Sequence, residues 1–305
     1  MRRALGAACI AFSSVTRRLP LPLAAALGRA LGTLAYLVIP RLRSGAVGNL
    51  NLAYRDALSP AAKRRIARRA AQHLGIVGAL FSRVPTIDTT FVEQHVRIEG
   101  REHLDGVEGA ILIGAHIGNW EWMAPVIRTF RDKAAEVVRP LDDPALAAYV
   151  DDTRRGNGVV TIPKAGAGRD IVHMVRNGFL VGILIDQSPR ENAVAVRFFD
   201  QPCWATIAPV MVAFRTHAPV MPISMTRDPD GDYTLRIGAP IELTRTGCLR
   251  TDIIENSQRC QDAIEQLVRA HPEQWLWAHR RWKARPQLEA QWQARLARDH
   301  DPASG

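Results

Sequence analysis

From residue 95 onward the chain alternates short apolar runs with stretches in which apolar residues recur at helical spacing. Strands are expected at 96–98, 110–114, 135–138, 159–162, 180–185, 220–225 and 233–237, and helices at 119–131, 144–155, 168–177, 205–216 and 252–270. Alternation of this kind predicts an α/β layered domain with a mixed, largely parallel central sheet flanked by helices and room for antiparallel edges. In such sheets the reactive groups collect where strands end and helices begin.

The first part of the chain reads differently. The opening MRRALGAACIAFSSVTRR has the charged start and short apolar run of a signal peptide, but no A-x-A-like site follows, so cleavage is not expected. Residues 21–39, LPLAAALGRALGTLAYLVI, are barely long enough to cross a bilayer and hold Pro22, two glycines and a central Arg29. Leu27, Leu31, Leu34 and Val38 fall on one side, which favours a helix lying in the membrane interface; a short span and an amphipathic helix packed on the body are the alternatives. A second helix is expected from Ser59, a suitable N-cap, and Pro60, with Ile66, Leu74, Val77, Leu80 and Phe81 as its buried stripe. The expected organisation is a membrane-associated segment over 1–45, one domain over 46–298 and a disordered tail over 299–305.

Charge sharpens this division. Residues 1–70 hold thirteen Lys or Arg against a single acid, Asp56, and so carry +12 of a net +10, which leaves the remainder close to neutral. A basic arm on a neutral body suits an anionic surface: phospholipid, nucleic acid or an acidic protein. The arm lacks interleaved aromatics and any groove-binding motif, so no nucleic-acid partner is expected. The four cysteines show neither CxxC pairs nor metal-ligand spacing, as in a reduced, cytoplasm-facing protein without structural zinc, and no metal or organic cofactor is expected.

The segment ILIGAHIGNWEWM ends a core strand on His116 and offers Glu121 five residues later. With 9 histidines and 30 acids in 305 residues, about one H-x4-[DE] match arises by chance, and there are two: His116 with Glu121, and His103 with Glu108. Context separates them. His103 lies in a polar stretch, GREHLDGVEG, whereas His116 follows the apolar run and is flanked by Gly114 and Gly118, which permit a sharp turn. A helix starting at Gly118 or Asn119 would put Glu121 in its first turn, where its carboxylate can accept from one ring nitrogen and leave the other free as a base. The alternative is a strand-end histidine satisfied by the fold, with Glu121 merely favouring a helix N-terminus. No serine or cysteine lies in a nucleophile elbow, so such a base would act on a substrate hydroxyl directly.

GAHIGNWEWM, together with PEQWLWAHRRWKARP at 272–286, resembles the lipid A biosynthesis acyltransferases, within the wider lysophospholipid acyltransferase superfamily. VGNLNLAYRD (47–56), VVRP (137–140), ILIDQSP (183–189) and VRFFDQP (196–202) extend the likeness along most of the chain. The resemblance implies a glycerolipid acyltransferase-like fold. It also implies transfer of a fatty acyl group from an acyl carrier protein or coenzyme A thioester to a hydroxyl of an anionic membrane glycolipid, at the cytoplasmic face of the inner membrane. His116 is then the general base and Glu121 its orienting carboxylate. Arg139 falls at the family's arginine after the second core strand, where it would hold an acceptor phosphate or the oxyanion, unless it pairs with Asp142 or Asp143. Asp186 falls at the third block, where it would shape the acceptor pocket, and Phe198–Phe199 at the aromatic pair after it. Arg169, in PKAGAGRD, is a further candidate contact for an anionic head group, since two glycines before a helix can receive a phosphate. In the C-terminal block His279, Arg280, Arg281 and Lys283 are candidates to face head groups, with Trp275, Trp277 and Trp282 at the water boundary or packed inside. HIGNWE is also the spelling of relatives acting on mannosylated phosphatidylinositol, which leaves that lipid, or a lysophospholipid, as an alternative acceptor. Hydrolysis of a thioester or lysolipid by the same His-Glu pair is the rival reaction.

Overall fold

The run AILIG is buried at all five positions, as required of a strand whose sheet is covered on both faces, and it forms the centre of the structure. The computed structural model describes residues 2–139 and 141–299. Four helices come first: α1 (Arg2–Arg18), α2 (Leu21–Val38), α3 (Pro40–Tyr54) and α4 (Pro60–Leu80). Then follow α5 (Thr89–His95), β1 (Val96–Glu99), β2 (Ala110–Gly114), α6 (Met123–Arg128), β3 (Ala134–Val138), α7 (Pro144–Arg155), β4 (Val160–Pro163), α8 (Gly168–Arg176) and β5 (Leu180–Leu184). The chain closes with β6 (Ala193–Phe198), β7 (Gln201–Thr206), α9 (Ala208–Thr216), β8 (Val220–Arg227), β9 (Tyr233–Ile237), α10 (Leu249–Ala270) and α11 (Pro286–Asp299).

Seven strands form one sheet in the order β1-β9-β8-β2-β5-β3-β4, and β6 pairs with β7 in a separate hairpin. Strands β8, β2, β5, β3 and β4 are mutually parallel; β9 runs antiparallel to β8, and β1 lies parallel to β9 at the edge. The fold is therefore the mixed, largely parallel α/β sheet expected. Alternate residues of β2 feed two cores, Ile111 and Ile113 on one face with Phe198 and Trp275, and Ala110 and Leu112 on the other with Trp122 and Met221. The five parallel strands deliver their carboxyl ends to one edge.

Several expected elements differ. The helix expected over 119–131 is a 3-10 turn at Trp120–Trp122 followed by the short α6. The β6–β7 hairpin replaces the start of the helix expected from 205, and it was hidden because its two-residue turn, Phe199–Asp200, has neither Asn nor Gly. Both turn residues adopt positive φ, 53° and 56°, as a type I′ turn demands, and Phe199 is held there by burial among Tyr54, Trp277 and Trp282. The boundary expected at 45/46 falls inside α3, and residues 300–305 of the expected tail lie outside the described residues.

Ser59 and Pro60 do start α4, Ser59 accepting from the Ala62 amide at 3.2 Å. The packing of α2 on α4 decides which way α2 faces. Ala24, Gly28, Gly32 and Tyr36, four residues apart, form its buried side, while Leu23, Leu27, Leu31, Leu34, Leu37 and Val38 are exposed. Backbone meets backbone at this seam: a Cβ on Gly75 would lie 2.1 Å from the Gly28 carbonyl oxygen, and one on Gly32 2.2 Å from that of Ala71. Gly75→Ala is expected to cost about 1–3 kcal/mol through this overpacking. Gly78→Ala, where nothing lies within 4 Å of the added carbon, is expected to leave stability unchanged or slightly raised. Thermal or denaturant midpoints of the two variants check both expectations.

Candidate active site

Register assembles the site. Gly114 of β2 pairs with Leu184 of β5, so two residues further on His116 and Asp186 come side by side. The His116 amide donates to Asp186 Oδ2 at 3.0 Å, and His116 Nδ1 lies 2.8 Å from Asp186 Oδ1. The Trp275 indole donates to Asp186 Oδ2 at 2.8 Å. With a carboxylate as its partner Nδ1 carries the proton, which leaves the Nε2 lone pair free. The His116 side chain keeps 19 % of its surface exposed, so the ring can be reached, while Asp186 is 2 % exposed.

The turn after His116 is clamped from two sides. Gly118 has φ +58°, and a Cβ there would lie 1.8 Å from the Met225 carbonyl oxygen. Its amide donates to the Gln274 carbonyl (3.1 Å), the Asn119 amide to that of Met225 (2.7 Å), and the Leu276 amide to that of His116 (3.0 Å). From α4, buried His73 faces the Gly118 carbonyl; burial holds its pKa down to about 4, so that ring is neutral.

This geometry corrects the role expected of Glu121. The left-handed Gly118 turns the chain so that Glu121 points to α7, where Arg154 binds it through two hydrogen bonds of 2.9 and 2.8 Å. Its carboxylate also accepts from the Trp120 indole at 2.9 Å, and Trp120 packs edge-on against the His116 ring at 5.2 Å. Glu121 therefore reaches His116 through Trp120 and through its charge, and the carboxylate hydrogen-bonded to the imidazole is Asp186. Asp186, expected to shape the acceptor pocket, instead lies against the histidine. Arg154 is shared with Glu136, 3.5 Å away. Burial, with the charges of Glu121 and Asp151, pushes Glu136 up to about 7 despite that guanidinium.

The electrostatics suit a base. Burial disfavours the His116 imidazolium, but the Asp186 carboxylate and, behind it, Glu121 outweigh this and raise the pKa above its ordinary value. Asp186 is held at about 2: its burial is overcome by the His116 charge and by the hydrogen bonds from His116 and Trp275.

Arg139 and Arg169 are not joined to this pair. Arg139 is exposed and forms a 3.7 Å ion pair with Asp142, the alternative weighed from sequence. It lies beside Lys164, whose amide donates to the Val138 carbonyl, and Arg139 and Arg190 both bear electrostatically on Lys164. Arg169 is exposed at the start of α8. In the C-terminal block Trp275 and Trp277 are buried in the core, and Arg281 is fully buried, donating to the Trp204 carbonyl and Gln261, so it does not face head groups. Arg280 and Lys283 are exposed; His279 is half-buried, and burial lowers its pKa although the charge of Asp186 raises it.

Sequence reasoning missed Arg154, Trp275 in its role as a donor, and Gln187, whose amide nitrogen lies 3.3 Å from His116 Nε2. Gln187 stood beside Asp186 in ILIDQSP, and only the β2–β5 register shows that this block meets His116. An apolar cavity of ≈ 340 Å³ lies between α1, α2, α4 and α7, lined by residues that include Phe12, Leu31, Leu74, Phe81 and Tyr149. Arg154 stands 6.0 Å from the Phe81 ring, which links the cavity wall to the Glu121 pair. Among the described residues no group of three or more His, Cys, Asp or Glu is placed to hold a metal ion.

Residues 1–284 match the family model for bacterial lipid A biosynthesis acyltransferases, and the chain belongs to that family. It is 25 % identical over 216 residues to a phosphatidylinositol mannoside acyltransferase of Mycobacterium tuberculosis (strain ATCC 25618 / H37Rv), over 66 % of this chain and 65 % of the relative. The match thus spans just under two thirds of that enzyme's own length. A lipid A biosynthesis lauroyltransferase of Escherichia coli (strain K12) is 24 % identical over 279 residues, 88 % of each chain. Among solved structures, the 1-acyl-sn-glycerophosphate acyltransferase PlsC of Thermotoga maritima is similar at a TM-score of 0.34 and 17 % identity, covering 82 % of this chain and 99 % of that one.

An NMR titration of the His116 ring checks the electrostatic account. Its midpoint is expected above 6.5 in the native protein. Asp186→Asn is expected to move it down, because the carboxylate that favours the imidazolium is gone, and Glu121→Gln to move it down by less. A larger shift in the Glu121 variant would reverse the assignment.

Proposed function

We propose that the protein transfers a fatty acyl chain from an acyl carrier protein or coenzyme A thioester to a hydroxyl of an anionic membrane glycolipid, with a lipid A precursor as the first acceptor to test. The observation that carries this reading is the His116–Asp186 pair with its open Nε2. Among the described residues no serine or cysteine hydrogen-bonds to the ring, so the proton it removes comes from substrate. His116 takes that proton from the acceptor hydroxyl, and the oxygen adds to the thioester carbonyl. The tetrahedral adduct collapses to the ester, and the departing thiolate receives the proton from the imidazolium. Asp186 holds the ring in the required tautomer and stabilises its charged form. The cavity beside Arg154 is the proposed site for the acyl chain, and the cations Arg139, Lys164 and Arg190 are the proposed contacts for the acceptor's anionic group.

Association with the cytoplasmic face of the inner membrane is part of the same proposal. The outward row on α2, with Leu23 at 57 % and Leu37 at 59 % exposure, supports a helix lying against lipid. Exposed Arg17, Arg18, Arg41, Arg43, Arg64, Arg65, Arg68 and Arg69 add attraction for an anionic leaflet and for an acidic carrier protein.

Acyl transfer to a tetra-acylated, phosphorylated lipid A precursor, compared between wild type and His116→Ala, tests the chemistry. A loss of about 10²–10⁴-fold in the variant is expected. Full activity in a folded His116→Ala protein ends the reading. Because the base works unprotonated and its pKa is raised, the wild-type rate is expected to climb with pH through that pKa, and Asp186→Asn to move this limb to lower pH while lowering the plateau. If wild type is inactive on lipid A but active on a phosphatidylinositol mannoside, the name of the mycobacterial relative becomes the guide to the acceptor. Leu34→Asp with Leu37→Asp is expected to weaken sedimentation with anionic vesicles at least tenfold, since each charge would enter the lipid interface; unchanged sedimentation removes α2 from the membrane contact.

A further inference from the structure

Gln187 presents an uncommitted amide beside the proposed base. Its Nε2 lies 3.3 Å from His116 Nε2 and 3.5 Å from His116 Nδ1. A group on the Nε2 lone-pair axis would be much farther from Nδ1 than from Nε2. Near-equal distances therefore put the amide nitrogen beside or over the ring and leave the lone pair open for a hydroxyl. Both neighbours are held: the Asp186 carboxylate by His116 and Trp275, and Ser188 by Arg285, which donates to the Ser188 hydroxyl at 3.1 Å and carbonyl at 2.9 Å. The side chain is half-buried, and its amide oxygen makes no hydrogen bond among the described residues. A residue between two hydrogen-bonded neighbours thus carries a side-chain donor with no structural partner other than the reacting histidine. Arg154, the cation linked to this histidine through Trp120, is committed to Glu121 and Glu136.

We propose that Gln187 donates an amide N–H to the thioester carbonyl oxygen as it becomes the tetrahedral oxyanion. This deepens the acyl-transfer reading and rests on it. The attacking oxygen must sit within hydrogen-bond reach of His116 Nε2 for its proton to be taken. The carbonyl oxygen is two bonds away from that oxygen once addition occurs, which brings it to the flank of the imidazole where the Gln187 amide stands. The N–H stays on nitrogen throughout, so the proton balance is that of the His116 step alone. The donor is neutral and stands beside the ring before reaction, and its hydrogen bond strengthens as negative charge gathers on the oxygen.

The test uses the full chain with Gln187→Leu, which removes the donor, and Gln187→Glu, which keeps the shape but opposes an oxyanion. For Gln187→Leu the expected result is a fall in kcat of about 10²–10³-fold, with KM for thioester and acceptor within threefold of wild type, and with melting temperature and His116 titration unchanged. Gln187→Glu is expected to be at least as impaired as Gln187→Leu. Three results would each overturn the assignment: in Gln187→Leu, a raised acceptor KM with kcat within threefold, which makes Gln187 an acceptor contact; in Gln187→Leu, a shifted His116 titration, which makes it a positioning residue for the ring; or near-native activity in Gln187→Glu. Transfer that survives His116→Ala defeats the acyl-transfer reading itself, whereas transfer that needs His116 and is retained in Gln187→Leu defeats this inference alone.

Discussion

The site depends on one buried carboxylate. Asp186 is out of water yet fully partnered, accepting from the His116 amide, the His116 ring and the Trp275 indole. A carboxylate so buried is tolerable only because these donors replace its hydration. The same three bonds tie together the end of β2, the end of β5 and the C-terminal block, so the group that sets the tautomer of His116 also joins three distant parts of the chain. The ion pair between Glu121 and Arg154 does comparable work one layer away, fixing the turn against α7.

In the N-terminal helices the usual rule of burial is inverted. In α2 the small residues face the protein and the leucines face out, because Gly28, Gly32 and Gly75 let two helix backbones come together with no room for larger side chains. Sequence periodicity found the leucine row correctly but could not say whether it faced core or surroundings; only the identity of the opposite face, Ala24, Gly28, Gly32 and Tyr36, carries that information. The leucine stripe and the small-residue stripe together describe a helix that packs on protein through its small side and presents an apolar side outward.

The parallel strands could be read from the sequence because their residues are buried on both faces, and β2 and β9 fall at the expected boundaries. His116 could be read too, since strand, glycine and turn all announce it. Its partner could not. Glu121 is close in sequence and Asp186 is seventy positions away, and the choice between them is made by which strands are neighbours, a property that no local pattern encodes. Positive φ at Gly118, which aims Glu121 towards Arg154, belongs equally to tertiary structure. The β6–β7 hairpin escaped for a related reason: Phe199 holds a conformation usually given to Asn or Gly, and aromatic packing supplies what local preference does not.

Because Leu276 and Trp275 hydrogen-bond to His116 and Asp186, the surroundings of this pair are completed by residues far along the chain from it. During synthesis the apolar α2 emerges well before Trp275 and Leu276. The outward leucine row of α2 is thus complete in the growing chain long before the hydrogen bonds that hold His116 and Asp186 can form.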